Sequence, residues 1–170
     1  ELRAARAELT DAVEAPGLDE CLAGIQQAFE GAEYSLTALA GKFSGFLKTG
    51  MSRQEALGAL VKAAVELTTP QAPKWEFIAA RLLNYKFELE LQAQLERRGI
   101  RTFYEKLRWL TDEGLYGAYI LEHYSREELE QAAAFLRPER NALFTYAGLD
   151  LQLKRYVIHT HQRVPLETPQ

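Results

Sequence analysis

Sulfur and imidazole are scarce in this sequence: its 170 residues hold one Cys, one Met and three His, with two Trp. A single thiol, Cys21, excludes an internal disulfide and leaves no CxxC pair, which fits a reducing, cytoplasmic setting. Long apolar runs are missing too. None approaches the roughly 18 residues of a membrane span, and no signal-peptide pattern opens the chain. A basic excess is also lacking: 20 Lys and Arg stand against 24 Asp and Glu, a net charge of −4. Nothing therefore steers the chain toward a phosphate backbone or an anionic lipid surface, and neither nucleic acid nor membrane is expected as a partner. No glycine-rich phosphate loop, Ser-His-Asp grouping, internal repeat or low-complexity stretch appears.

What is present is ordinary globular composition, 47% hydrophobic and 26% charged. Residues 1–13 are rich in helix formers, and Ala15-Pro16-Gly17 breaks them. Leu18, Leu22, Ile25 and Phe29 then recur at helical spacing, with Gly31 as the expected stop. Leu36, Leu39, Phe43, Phe46 and Leu47 form the next stripe, with Ser35 as N-cap and Gly50 as its end. Ser52 and Glu55 have capping-box spacing, as do Ser125 and Glu128, so each pair should open a helix. Between them run a two-proline loop, a long helix from Trp75 to about Glu96, a short aromatic segment at 102–110 and a Gly/Tyr-rich turn at 114–119. Residues 127–130 read as a solvated helix face. Near the end, Leu143, Phe144, Ala147 and Leu151 fall near a helical period. Tyr156-Val157-Ile158, a polar stretch and Val164-Pro165-Leu166 then suggest a short hairpin. The expected fold is mainly α, about eight helices with one short C-terminal β-hairpin.

Few residues invite chemistry. His159 and His161 would point the same way on a strand, but without a third ligand a polar hairpin turn is the better reading, and no metal site is assigned. His123 reads as packing before a helix. Cys21 lies near an apolar stripe between Asp19 and Glu20, whose charges disfavour a thiolate, so it reads as core. Glu105, Asp112 and Glu113 could pose as paired carboxylates, against the simpler reading of a solvated helix end. Phe103, Tyr104, Trp109, Tyr116 and Tyr119, interleaved with Lys106 and Arg108, could stack bases; an anchor between helical layers explains them without a wider basic patch.

Three blocks, taken in order, are specific enough to carry a resemblance. The first runs from Gly50-Met51-Ser52 through Ala63-Ala64 and then Ala72-Pro73-Lys74-Trp75 to Ala79-Ala80-Arg81-Leu82. The second comprises Phe103-Tyr104-Glu105-Lys106-Leu107, Gly114-Leu115-Tyr116 and the run from Tyr124 to Leu129. The third is Arg137 to Arg140 with the stretch FTYAGLDLQLKRY, a polar turn and ETPQ at 144–170. Over residues 18–170 the sequence resembles the N-terminal region of the large (alpha) subunit of class I ribonucleotide reductase. The resemblance implies an ATP-cone at 1–90 and, at 91–170, the helical lead-in to a catalytic barrel. It implies a parent that reduces ribonucleoside diphosphates, with its reactive cysteines beyond Gln170. No catalytic residue, cofactor or metal is therefore carried over to this stretch, which reads as an excised piece of a longer chain. The implied partners are the rest of its own large subunit, a radical-generating small subunit or a second copy.

The effector site departs from the family pattern. Where the family carries a Lys-Arg-Asp-Gly hairpin, this chain has the helix-like ELRAARAELTDAV. Glu20 follows Leu18-Asp19 where a lysine is expected, Arg53 stands for a threonine, and Leu89 falls near the last basic position. A triphosphate requires cationic and N–H donors. The expectation is a degenerate cone that binds ATP or dATP weakly or not at all. The reading from another class is a stand-alone helical protein-interaction module with an exposed apolar groove.

Overall fold

The computed structural model describes residues 2–170, with only the backbone described for Leu2. Nine α-helices and two 3-10 turns account for its regular structure: α1 (Leu2–Val13), α2 (Leu18–Ala28), α3 (Leu36–Ser44), α4 (Arg53–Glu66), α5 (Trp75–Arg97), α6 (Phe103–Asp112), α7 (Tyr119–His123), α8 (Arg126–Ala133) and α9 (Tyr146–Arg155). The mainly helical expectation holds. The chain divides into two compact units. One contains the residues through Phe87 with Ala142–Asp150, the other Glu88–Asn141 with Leu151–Gln170.

In the first unit α1 packs on α2, α3 and α4, and α3 packs on α4. Leu9, Leu18, Leu22, Leu39, Leu60, Ala63 and Ala64 are fully buried there, as are Trp75, Ile78 and Ala79 of α5. Small residues on α4 let neighbouring backbones approach closely, so the core depends on alanine as much as on leucine. The Trp75 indole Nε1 donates to the Glu33 carbonyl at 2.9 Å, and its ring lies 6.2 Å from that of Tyr34. In the second unit α6 packs on α8.

Helix boundaries follow capping chemistry. Ser52 Oγ accepts from the Glu55 amide at 3.3 Å while Glu55 Oε2 accepts from the Ser52 amide at 2.8 Å. Ser125 and Glu128 repeat the arrangement. A third box was not read from sequence: Thr102 and Glu105 cap α6, and Glu105 also accepts from the Arg101 amide at 2.8 Å. Backbone hydrogen bonds, from Ser52 and from Arg101 and Thr102 respectively, hold the Glu55 and Glu105 carboxyls below the ordinary glutamate range. A carboxyl lowered on folding adds stability above its unfolded pKa and loses it as pH falls through the folded value. We predict that carboxyl NMR titrations of Glu55 and Glu105 have midpoints below the ordinary glutamate range. Glu55→Gln and Glu105→Gln should weaken the acid dependence of the first turns of α4 and α6.

Several expectations require correction. Helix α3 stops at Ser44, short of Gly50, because Ser44 Oγ turns back to the Gly41 carbonyl and the Phe46 amide closes onto Phe43. Helix α2 ends at Ala28, before Gly31, which has φ +120°. The 114–119 turn runs into the short helix α7. Residues 127–130 are not uniformly solvated: Leu129 is buried, and Glu130 Oε1 accepts from the Tyr104 amide at 2.8 Å, stitching α8 to the first turn of α6. On α9 the buried residues are Leu149 and Leu153 and Leu151 is exposed, while Leu143 lies before the helix, in a 3-10 turn, and is also exposed. At the C-terminal end, β pairing among the described residues is confined to an isolated antiparallel bridge, His159 with Pro165.

Candidate functional site

Glu20 and Arg53, two of the positions that depart from the expected pattern, both act on Tyr85 within the first unit. Gly17, at φ +79°, turns the chain into α2 and places Glu20 and Cys21 in its first turn. Tyr85 of α5 donates its hydroxyl to the Pro16 carbonyl at 2.9 Å. Partial burial pushes the Tyr85 phenol upward, Cys21 adds to the rise, Arg53 opposes it, and Glu20 contributes a further small rise. Glu20 and Arg53, from α2 and α4, thus act on one tyrosine. Both are exposed. One guanidinium and one carboxylate thus act in opposite directions on the same phenol. Leu89 is half-buried on α5 and supplies no charge.

Cys21 is half-buried, a correction to its reading as core. The α2 stripe buries Leu18, Leu22 and Ile25 and leaves Cys21 one position off that face. Arg81 of the Ala79-Ala80-Arg81-Leu82 run lies with its guanidinium 4.7 Å over the Phe29 ring. Its buried Nε has no hydrogen-bond partner among the described residues. With Tyr34 and Trp75, Phe29 forms a ring chain that the sequence reading did not single out.

The aromatic set at 103–119 does not assemble into one cluster. Trp109 carries the Arg98 guanidinium at 4.7 Å, and Tyr104 carries that of Arg126 at 5.6 Å. The stacked cations are therefore not Lys106 or Arg108. Tyr119 is 61% exposed, which removes it from any inter-layer anchor. Glu105, Asp112 and Glu113 do line one cleft of about 480 Å³, with Arg98, Arg108 and Trp109. Acid–base work by paired carboxylates requires one raised pKa. Glu105 is instead lowered and already committed to the α6 cap.

The histidines are engaged separately. His159 Nε2 lies 2.6 Å from the Leu153 carbonyl, so that nitrogen carries the proton and caps the end of α9. His123 Nδ1 lies 2.7 Å from the Tyr119 carbonyl, and His161 is exposed. Among the described residues no three His, Cys, Asp or Glu converge as metal ligands, and no helix is long and apolar enough to cross a membrane.

Stacked helices with three reciprocal caps and the three sequence blocks in order define a mainly helical protein. It belongs to the ribonucleoside-diphosphate reductase alpha-subunit family. The sequence is 54% identical over 146 residues to the alpha subunit of Treponema pallidum, covering 86% of this chain and 17% of that protein. The alpha subunit of enterobacteria phage T4 is 28% identical over 84% of this chain and 19% of its own length. The alpha subunit of ribonucleoside-diphosphate reductase 1 of Escherichia coli is 26% identical over 64% of this chain and 14% of its own length. The chain thus spans less than a fifth of the curated relatives it matches. No family model matches it.

Proposed function

We propose that this chain is the N-terminal regulatory and structural region of a class I ribonucleotide reductase large subunit. In that reading its parent reduces ribonucleoside diphosphates, and the chain itself carries no catalytic group. The observation that carries the reading is the 54% identity across 86% of the chain. Residues 1–90 act as a degenerate ATP-cone, and residues 91–170 lead into the barrel. Apolar side chains left in solvent support the role of a platform for the rest of the subunit: Phe135 is 81% exposed, Leu143 72% and Tyr156 69%. A small subunit and a second large subunit are the further partners this reading implies.

The opposed charges of Glu20 and Arg53 at the Tyr85 corner support loss of effector binding. Calorimetric titration of the 170-residue chain with ATP and with dATP should give no measurable heat of binding. Saturable micromolar binding of either nucleotide would overturn the degenerate-cone assignment while leaving the family membership intact.

A further inference from the structure

The turn between α5 and α6, within the second unit, encloses a cleft of about 540 Å³. That volume falls in the range of small-molecule sites. Leu95, Ile100 and the half-buried Phe103 supply its apolar wall, and Arg101 and Lys106 supply two cations. The wall also holds one carboxylate, Glu96, whose Oε1 already accepts from Gln92 Nε2 at 3.1 Å.

Lys106 is the unusual member. It sits one residue after the Glu105 cap, in the first turn of α6, and lines the cleft. Among the described residues no carboxylate lies within salt-bridge distance of its ammonium, and Glu167 acts on it only through a longer-range field. Burial pushes its amine below the ordinary lysine range, and Glu167 pulls it part of the way back. A partly dehydrated cation without a close counter-ion is costly to maintain. An anion entering the cleft would relieve that cost.

We propose that this cleft binds a small ligand with one anionic group, carboxylate or phosphate, attached to a compact apolar or aromatic body. The anion meets Lys106 and Arg101 while the body lies against Leu95, Ile100 and Phe103. The site is separate from the Tyr85 corner and independent of the degenerate-cone reading.

Titration of the ¹⁵N-labelled chain with phenyl phosphate, benzoate and benzyl alcohol tests it. At least one of the two anions should shift the Phe103 and Lys106 amides saturably, and benzyl alcohol should not. Comparison of the two anions identifies the preferred headgroup. Lys106→Gln should weaken binding about ten-fold or more, the loss expected when a hydrogen bond to a charged group is removed. Reductive methylation of the unmodified protein covers the case in which the variant fails to fold: the bound anion should slow labelling of Lys106 relative to the exposed Lys154. Absence of saturable shifts with both anions, unchanged affinity in Lys106→Gln, or unprotected Lys106 labelling would overturn the proposal.

Discussion

Trp75→Ala is expected to cost the first unit about 3–5 kcal/mol, the range for truncating a large buried aromatic. Trp75 is 1% exposed, and it opens α5 directly after the Ala72-Pro73-Lys74 loop. Three effects add at this residue. The ring fills space beside Tyr34, Nε1 satisfies the Glu33 carbonyl, and that carbonyl follows Gly31, whose φ of +120° holds the chain in a glycine conformation. Alanine removes the ring and leaves the carbonyl without its indole donor. Trp75→Phe separates the contributions: it keeps most of the apolar burial and loses the hydrogen bond, for about 1–2 kcal/mol. Urea denaturation followed by far-UV circular dichroism measures both. The sequence has only two tryptophans, so Trp109 becomes the sole fluorescent indole in either variant and reports the second unit. A loss below about 1 kcal/mol in Trp75→Ala would mean that the cavity collapses or fills with water, and that this residue does not organise the unit.

Local signals in the sequence located most helices because they act over three or four residues. Ser52 with Glu55 and Ser125 with Glu128 state their caps within one turn, and the structure forms both boxes. Thr102 with Glu105 carries the same information at the start of α6, ahead of the aromatic residues and the Asp112-Glu113 pair. Long-range partners were a different matter. The Glu130 bond to the Tyr104 amide spans 26 residues, and the Trp75 bond to Glu33 spans 42. Neither leaves a periodic trace. Helix α9 shows why periodicity alone was insufficient at its own scale. Ala147 and Leu151 lie on one stripe and Leu149 with Leu153 on another, and only tertiary packing selects the second for burial. The candidate site was legible mainly through departures from the family pattern that the resemblance implies, at Glu20, Arg53 and Leu89. The approach of Glu20 and Arg53 to Tyr85 was not, because the packing of α2 and α4 is set by the Leu18, Leu22, Leu57 and Leu60 core rather than by the charged residues themselves.

The C-terminal stretch offers the other large effect. Residues 156–167 have little regular structure to hold them: the Leu166 amide donates to the Ile158 carbonyl at 2.8 Å, the Thr160 amide to Val164 at 2.9 Å, and the Ile158 amide to Glu167 Oε1 at 2.9 Å. Such exposed or half-buried bonds contribute little net stability individually. Leu166, in contrast, is 0% exposed, and Val157 is also buried. Leu166→Ala should therefore cost about 2–5 kcal/mol, whereas His161→Ala at the exposed tip should change stability by less than about 0.5 kcal/mol. Both variants can be compared in a Trp75→Phe background, where Trp109 fluorescence during urea denaturation reports the second unit. If the polar turn rather than the apolar anchor fixed this segment, the order would invert, because His161→Ala would loosen the loop while Leu166→Ala left the transition in place. The sequence reading set Tyr156-Val157-Ile158 and Val164-Pro165-Leu166 on either side of a polar stretch, which marks where the chain reverses. The burial pattern assigns the stability to the leucine that follows it, since removing apolar surface from water outweighs a few solvent-accessible hydrogen bonds.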